Sequence, residues 1–284
     1  EELRGAKVVH DEGKELETAV SLAQESDVAI VVVGYDHRDE GERILFRGGD
    51  RDSLRLSEKD EALITAVAEA NPRTVVVMIG GSAIITEAWR DSVPALLMGW
   101  YMGMEGGNGL TDVLFGRVNP SAKLPCVFPK SEEQLPYFDK NAHSIRYRYY
   151  HGYRLLENGG QDPAFPFGFG LSYTQYQYDN LRLSRKKLPM NSKMTVSVEG
   201  TNVGERAGEE VVQLYAGCVG DSPIDRPVKT LLGFAKVRLQ PGETQKVRMP
   251  LKAEQLAHYD EATKSWQIEP NQYAVFVGPS SETA

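Results

Sequence analysis

The sequence predicts an α/β portion built on a parallel sheet, followed by an all-β sandwich. Three observations carry this. In the first half, short Ile- and Val-rich runs bounded by glycine or proline alternate with segments of helical spacing, the pattern of a parallel sheet covered by helices. From about residue 117, Asn119-Pro120, Pro125, Pro129 and Pro136 punctuate an extended connector. Beyond it no helical pattern persists, and short alternating segments separated by turn residues predict a β-sandwich.

Residues 16–26 have the spacing of a helix, and residues 27–33 (DVAIVVV) read as a strand closed by Gly34-Tyr35. Such a run is expected to be buried on both faces. Ser57 predicts an N-cap with Asp60 at the third helical position, and the helix should end at Asn71-Pro72. Residues 74–79 (TVVVMI) form the next buried strand. Gly80-Gly81-Ser82 is expected to turn into a short helix containing Trp89, the glycines allowing close helix–sheet packing. Residues 94–100 give a third strand, and Gly106-Gly107 opens a helix that ends near Phe115-Gly116. In the second part, strands are expected at 194–202, 210–216, 231–239, 245–251 and 272–277. Turns at Pro241-Gly242-Glu243 and Glu269-Pro270-Asn271 separate the last of them.

A hydrophobic fraction of 41% over 284 residues suits about two domains with a sizeable core. The net charge of -8 and a pI near 5.3 argue against nucleic acid or an anionic membrane as partner. The local basic clusters, Arg146-Tyr147-Arg148 and Arg185-Lys186-Lys187, read as solvated faces. No run of 18 apolar residues is present, so no membrane-spanning helix is expected. Cys126 and Cys218 lack metal-ligand spacing and read as free thiols. No cofactor motif is found: Gly80-Gly81-Ser82 lacks the phosphate-cradling pattern, and no H-E-x-x-H or paired-cysteine spacing points to a metal. The opening EELRGAKVVH is neither a signal peptide nor a domain start, and is expected to continue from a longer polypeptide.

The richest chemistry follows the first strand, where Asp39, Glu40, Glu42 and Arg43 precede Gly48-Gly49-Asp50-Arg51. In open α/β sheets, ligands bind beyond the carboxyl ends of the strands. Glu42 is the candidate catalytic acid, with Glu40 the competing assignment. Asp50 and Arg51 read either as an ion pair pinning the loop or as direct ligand contacts. Tyr35 and His37 could line a site, an aromatic face and a neutral imidazole being suited to rings and hydroxyls, or could pack the loop. The tyrosines and phenylalanines of residues 143–178 read as packing for the connector rather than as a carbohydrate platform.

The chain resembles the C-terminal portion of the glycoside hydrolase family 3 β-glucosidases. The matching pieces occur in order: DVAIVVVG with its acidic loop, GGDRDSLRL, ANPRTVVVMIGGSA and WYMGMEGGNGLTDVLFGRVNPSAKLP. RYRYYHGYR, FPFGFGLSYTQYQY, LLGFAKVRLQPGETQKV and YAVFVGPSS follow. The resemblance implies an α/β/α sandwich domain with its connector over residues 1–160 and a fibronectin type III-like β-sandwich over 161–284. It implies a retaining mechanism with an aspartate nucleophile on a (β/α)8 barrel that precedes these domains in the family and is missing here. Glu42 falls where the family's acid/base glutamate lies, and Glu105 falls at the sandwich–barrel interface. The implied substrate is a β-linked glucoside or oligosaccharide, and the implied partner is the barrel portion of the same enzyme. The alternative is a non-catalytic carbohydrate-binding or interaction module.

Overall fold

A computed structural model describes residues 5–40 and 50–282. The chain divides into two compact units. The first holds the described residues up to Gly107 together with Pro129–Glu133 and Tyr137–Arg146; the second holds Asn108–Phe128, Gln134–Pro136 and Tyr147–Ala284.

In the first unit, β1 (Ala29–Gly34), β2 (Thr74–Ile79) and β3 (Ala95–Met98) form a parallel sheet in the order β1-β2-β3. The register sets Val31 beside Val76 and Val76 beside Leu96. α1 (Leu16–Gln24) precedes β1, and the single turn α2 (His37–Glu40) and α3 (Glu58–Ala70) lie between β1 and β2. Ser57 caps α3 as expected: its hydroxyl oxygen accepts from the Asp60 backbone N–H at 3.2 Å and donates to the Asp60 carboxylate at 2.9 Å. The second bond replaces the Glu or Gln arm of a capping box. Asn71, closing α3, donates through Nδ2 to the carbonyls of Ala23 and Ser26 at 2.9 and 2.8 Å, tying down the end of α1.

Two expectations for this unit are corrected. β2 is deeply buried, with Val76 and Val77 at 0% exposure, but β1 is not buried on both faces. Val31 and Val33 point inward, whereas Ile30 and Val32 are 48% and 56% exposed. β1 stands at one end of the three-stranded order, and among the described residues no layer covers the face that carries Ile30 and Val32. Second, no helix follows Gly80-Gly81-Ser82. The β-branched stretch after it stays extended, Ile85 forming a parallel bridge with Arg55 and donating its N–H to Leu54 at 2.9 Å. Only a 3-10 turn, Arg90–Ser92, follows the buried Trp89. The predicted helix at Gly106-Gly107 is present as α4 (Gly106–Leu114).

The second unit contains a short helix, α5 (Tyr153–Asn158), and two three-stranded antiparallel sheets. One consists of β4 (Tyr176–Leu183), β5 (Lys193–Asn202) and β8 (Thr244–Lys252). The other consists of β6 (Gly208–Cys218), β7 (Thr230–Leu239) and β11 (Tyr273–Gly278). Alternate residues of β5 and β8 are buried (Met194, Val196 and Val198; Val247, Met249 and Leu251) and pack with Val212, Leu214, Ala216 and Val277 in one core. This period-2 burial is what two sheets facing each other require. Lys123 of the connector enters the same unit and meets Glu210 at 3.0 Å, and Tyr178 donates to Glu210 at 2.9 Å. The hairpin of β9 (His258–Asp260) and β10 (Ser265–Gln267), like β4, was not expected from the sequence. The aromatic segment packs largely on its own unit: Phe165 lies edge-on to Phe128 at 6.1 Å, and Tyr153 stacks on Phe167 at 4.9 Å. Both cysteines are free and half-buried.

Candidate active site

The site is built where β1 ends. Gly34 has φ +139°, and a Cβ there would lie 1.9 Å from the Ile79 carbonyl oxygen; only glycine permits that approach. The chain can therefore leave the sheet while the Tyr35 N–H still donates to Ile79 at 2.9 Å. Asp36 then starts α2, with its carboxylate accepting from the Arg38 N–H at 2.6 Å. The turn delivers Glu40 over the carboxyl end of the sheet.

Glu40 is fully engaged. Oε1 meets Arg51 Nε at 3.0 Å, the pair being 15% and 10% exposed. Oε2 accepts the Gly81 N–H at 2.8 Å and the phenol of Tyr101. A side chain at Gly81 would crowd this pair, since a Cβ would sit 3.0 Å from both Glu40 Oε2 and Tyr101 Cε2. Arg51 in turn donates to the Ser82 hydroxyl, and its guanidinium carbon lies 4.0 Å from the centre of the Tyr35 ring. This is cation–π contact distance. The Tyr35 hydroxyl donates to the Arg55 carbonyl. Burial pushes the Tyr35 phenol up; burial followed by the hydrogen bond to Glu40 pushes Tyr101 up to about 12. Both tyrosines thus stay neutral hydrogen-bond donors at neutral pH.

Of the residues singled out in the sequence, the structure brings Tyr35 and Arg51 together, with Glu40 as their common neighbour. Arg51's carboxylate partner is Glu40 and not Asp50, which corrects the expected Asp50–Arg51 ion pair. His37 and Asp50 are exposed. Glu42 lies outside the described residues. Sequence reading missed Tyr101, Gly81 and Ser82 as members of the cluster. The signal was their position at the carboxyl ends of β2 and β3. At Trp100, beside Tyr101, φ is +56°, and such non-glycine outliers concentrate at functional sites.

A parallel sheet with an ion-pair cluster over its carboxyl edge, followed along the chain by a two-sheet sandwich, defines a class of protein, and comparison with known proteins gives the family. The model of the glycosyl hydrolase family 3 C-terminal domain matches residues 3–173, and that of a fibronectin type III-like domain matches residues 210–281. The chain belongs to glycosyl hydrolase family 3. It is 38% identical to thermostable beta-glucosidase B of Acetivibrio thermocellus over 96% of this chain and 37% of that protein. Beta-glucosidase B of Emericella nidulans is also 38% identical, over 93% of this chain and 32% of its own length. Among solved structures, the β-glucosidase D2-BGL of Chaetomella raphigera matches 99% of this chain and 42% of its own, at 30% identity and TM-score 0.89. The β-glucosidase of Kluyveromyces marxianus in complex with glucose matches 98% and 33%, at 34% identity and TM-score 0.81. The chain thus spans about a third of the length of the curated relatives it matches, and corresponds to their C-terminal part.

Proposed function

We propose that this chain supplies the general acid/base and the aglycone-side contacts of a retaining β-glucosidase. A (β/α)8 barrel outside the chain carries the nucleophile. In this reading residues 1–160 are the sandwich domain with its connector and residues 161–284 the fibronectin type III-like domain. The substrate is a β-linked glucoside or oligosaccharide. Retention needs two carboxyl groups roughly 5–5.5 Å apart, one attacking the anomeric carbon and the other protonating the leaving oxygen and then activating water.

Glu42 is the acid/base. The observation that carries this assignment is the engagement of Glu40, whose two oxygens are taken by Arg51, Gly81 and Tyr101. A general acid must bring a protonated oxygen to the substrate, and Glu40 has neither oxygen to spare. Glu42 is therefore the glutamate available next to Gly41. Tyr35 and Arg51 serve by holding Glu40 and the chain around it, while the exposed His37 and Asp50 reach the aglycone.

The outer face of β1 supports a polypeptide partner. Val28, just before β1, and Ile30 and Val32 on it are 51%, 48% and 56% exposed, and among the described residues β1 pairs with β2 alone, an unusual surface for a sheet to leave in water. The relatives are about three times as long as the match, and the remainder of a family 3 polypeptide is the occupant proposed. The test is to assay the 284-residue chain on an activated aryl β-glucoside, alone and with a family 3 barrel polypeptide. No turnover alone and turnover when combined is expected; turnover by the chain alone at the rate of an intact enzyme would sink the reading.

A non-catalytic carbohydrate-binding module is the second reading, and one observation favours it. Tyr259 and Trp266 are cross-strand neighbours on the β9–β10 hairpin, 51% and 71% exposed, and could stack on sugar rings. Binding of soluble oligoglucan by the chain, lost in Trp266→Ala and accompanied by no turnover in the combined assay, would favour it.

A further inference from the structure

The second unit holds a cavity of about 420 Å³ that the glycosidase reading does not use. It falls in the size range of small-molecule sites, roughly 300–1,000 Å³. Tyr149, Tyr153 and Phe167 contribute rings to its wall, and Cys126, His151 and Arg154 complete the part that bears on its chemistry. The wall is rigid where it matters. Tyr153 stacks on Phe167 at 4.9 Å, meets Tyr215 edge-on at 6.3 Å, and its hydroxyl accepts the Leu231 N–H at 3.0 Å.

Arg154 is the anomaly. It is half-buried, and its hydrogen bond is a long one, Nε donating to the Tyr153 hydroxyl at 3.5 Å. Its guanidinium carbon lies 5.7 Å from the Tyr153 ring centre. Among the described residues no carboxylate lies within ion-pair distance of it. A cation withdrawn from water is costly without a counter-charge, and a guanidinium matches a carboxylate with two parallel hydrogen bonds. The rest of the lining is aromatic and aliphatic with few donors or acceptors. That suits a flat apolar ring carrying one anionic group, and suits a sugar with a hydroxyl on every side poorly.

We propose that this cavity is a binding site for a small aromatic carboxylic acid, its ring among Tyr149, Tyr153 and Phe167 and its carboxylate on Arg154. Its lining comes wholly from the second unit, and the proposal does not rest on the glycosidase reading. Cys126 provides an internal reporter, because its thiol stands in the wall and a ligand in place shields it.

The test uses the full 284-residue chain with 4-hydroxybenzoate as probe, followed by calorimetric titration. Saturable 1:1 binding is expected. The methyl ester of the probe, which has the ring without the charge, should bind roughly ten-fold or more weakly, the loss expected for a charge-assisted hydrogen bond. Arg154→Gln should lose a similar factor while melting like the parent chain. In a Cys218→Ser background, where Cys126 is the single thiol, the probe should slow alkylation of Cys126 and glucose should not. If acid and ester bind equally, or if glucose protects Cys126 as well as the acid does, the proposal is overturned. It is equally overturned by absence of saturable binding. Should Arg154→Gln fail to fold, the comparison of acid with ester on the unaltered chain decides.

Discussion

Arg51 Nε stands 3.0 Å from Glu40 Oε1 in a nearly buried ion pair between the end of α2 and a residue that follows it by eleven positions. The same carboxylate ties this pair to β2 through Gly81 and to the end of β3 through Tyr101. Glu40 is thereby anchored at three points over the carboxyl edge of the sheet.

Breaking the pair from one side should be expensive. Removing one partner of a fully buried pair costs about 3–5 kcal/mol. With 10% and 15% of the side chains exposed, Arg51→Met is expected to cost about 2–4 kcal/mol. Urea unfolding of single and double variants with Glu40→Gln would measure it, with a coupling of roughly 1–3 kcal/mol expected. Additive effects would show that the two groups do not stabilise each other.

Gly34→Ala should be among the most damaging small substitutions in the chain. The new Cβ meets the Ile79 carbonyl oxygen at 1.9 Å and the backbone has φ +139°, so about 3 kcal/mol or more is expected. Gly103→Ala is the control: its φ is +70° but nothing lies within 4 Å, leaving only the left-handed penalty of about 1–2 kcal/mol. Equal melting temperatures for the two variants would contradict this.

Tyr101 gives a sign to the alkaline limb of stability. Its phenol is raised to about 12 from an ordinary value of 10.0, so the folded state holds the proton more tightly than the unfolded chain does. The stabilisation is complete below pH about 10 and is lost as pH rises from there through about 12. Tyr101→Phe should flatten this part of the stability–pH curve, measured by denaturant unfolding at successive pH values. An unchanged slope would remove Tyr101 as its source.

Glu42→Ala, in an enzyme completed by its barrel, should slow substrates with poor leaving groups by about 10²–10⁴-fold and activated ones far less at the first step. Deglycosylation should also slow, and azide should restore turnover, because a small anion needs no base. Glu40→Ala should instead lower activity on both substrate types alike and lower stability, since it removes an anchor. The reverse pattern would exchange the two roles.

Ile30→Lys and Val32→Lys on the outer face of β1 should change the stability of the chain by no more than about 0.5 kcal/mol, as surface substitutions do. They should nevertheless abolish association with the barrel polypeptide in analytical ultracentrifugation. Unimpaired association would place the partner elsewhere.

The amino-acid sequence by itself determined the order of elements, the parallel sheet, the later β-sandwich and the capped helix beginning after Ser57. Each of these rests on local information: side-chain period, β-branched runs, a cap residue and turn glycines. It also placed Glu40, Arg51 and Tyr35 in one loop region. Only the tertiary structure decided that Arg51 pairs with Glu40 rather than with its neighbour Asp50. It alone brought in Tyr101, Gly81 and Ser82, because strands distant in sequence end at the same edge of a parallel sheet. Burial of β1 on one face was likewise beyond local reading: a run of valines is the same string whether or not another layer covers it. The extended path of residues after Ser82, where a helix was expected, is set by pairing of Ile85 with Arg55, a partner thirty positions away that no local propensity encodes.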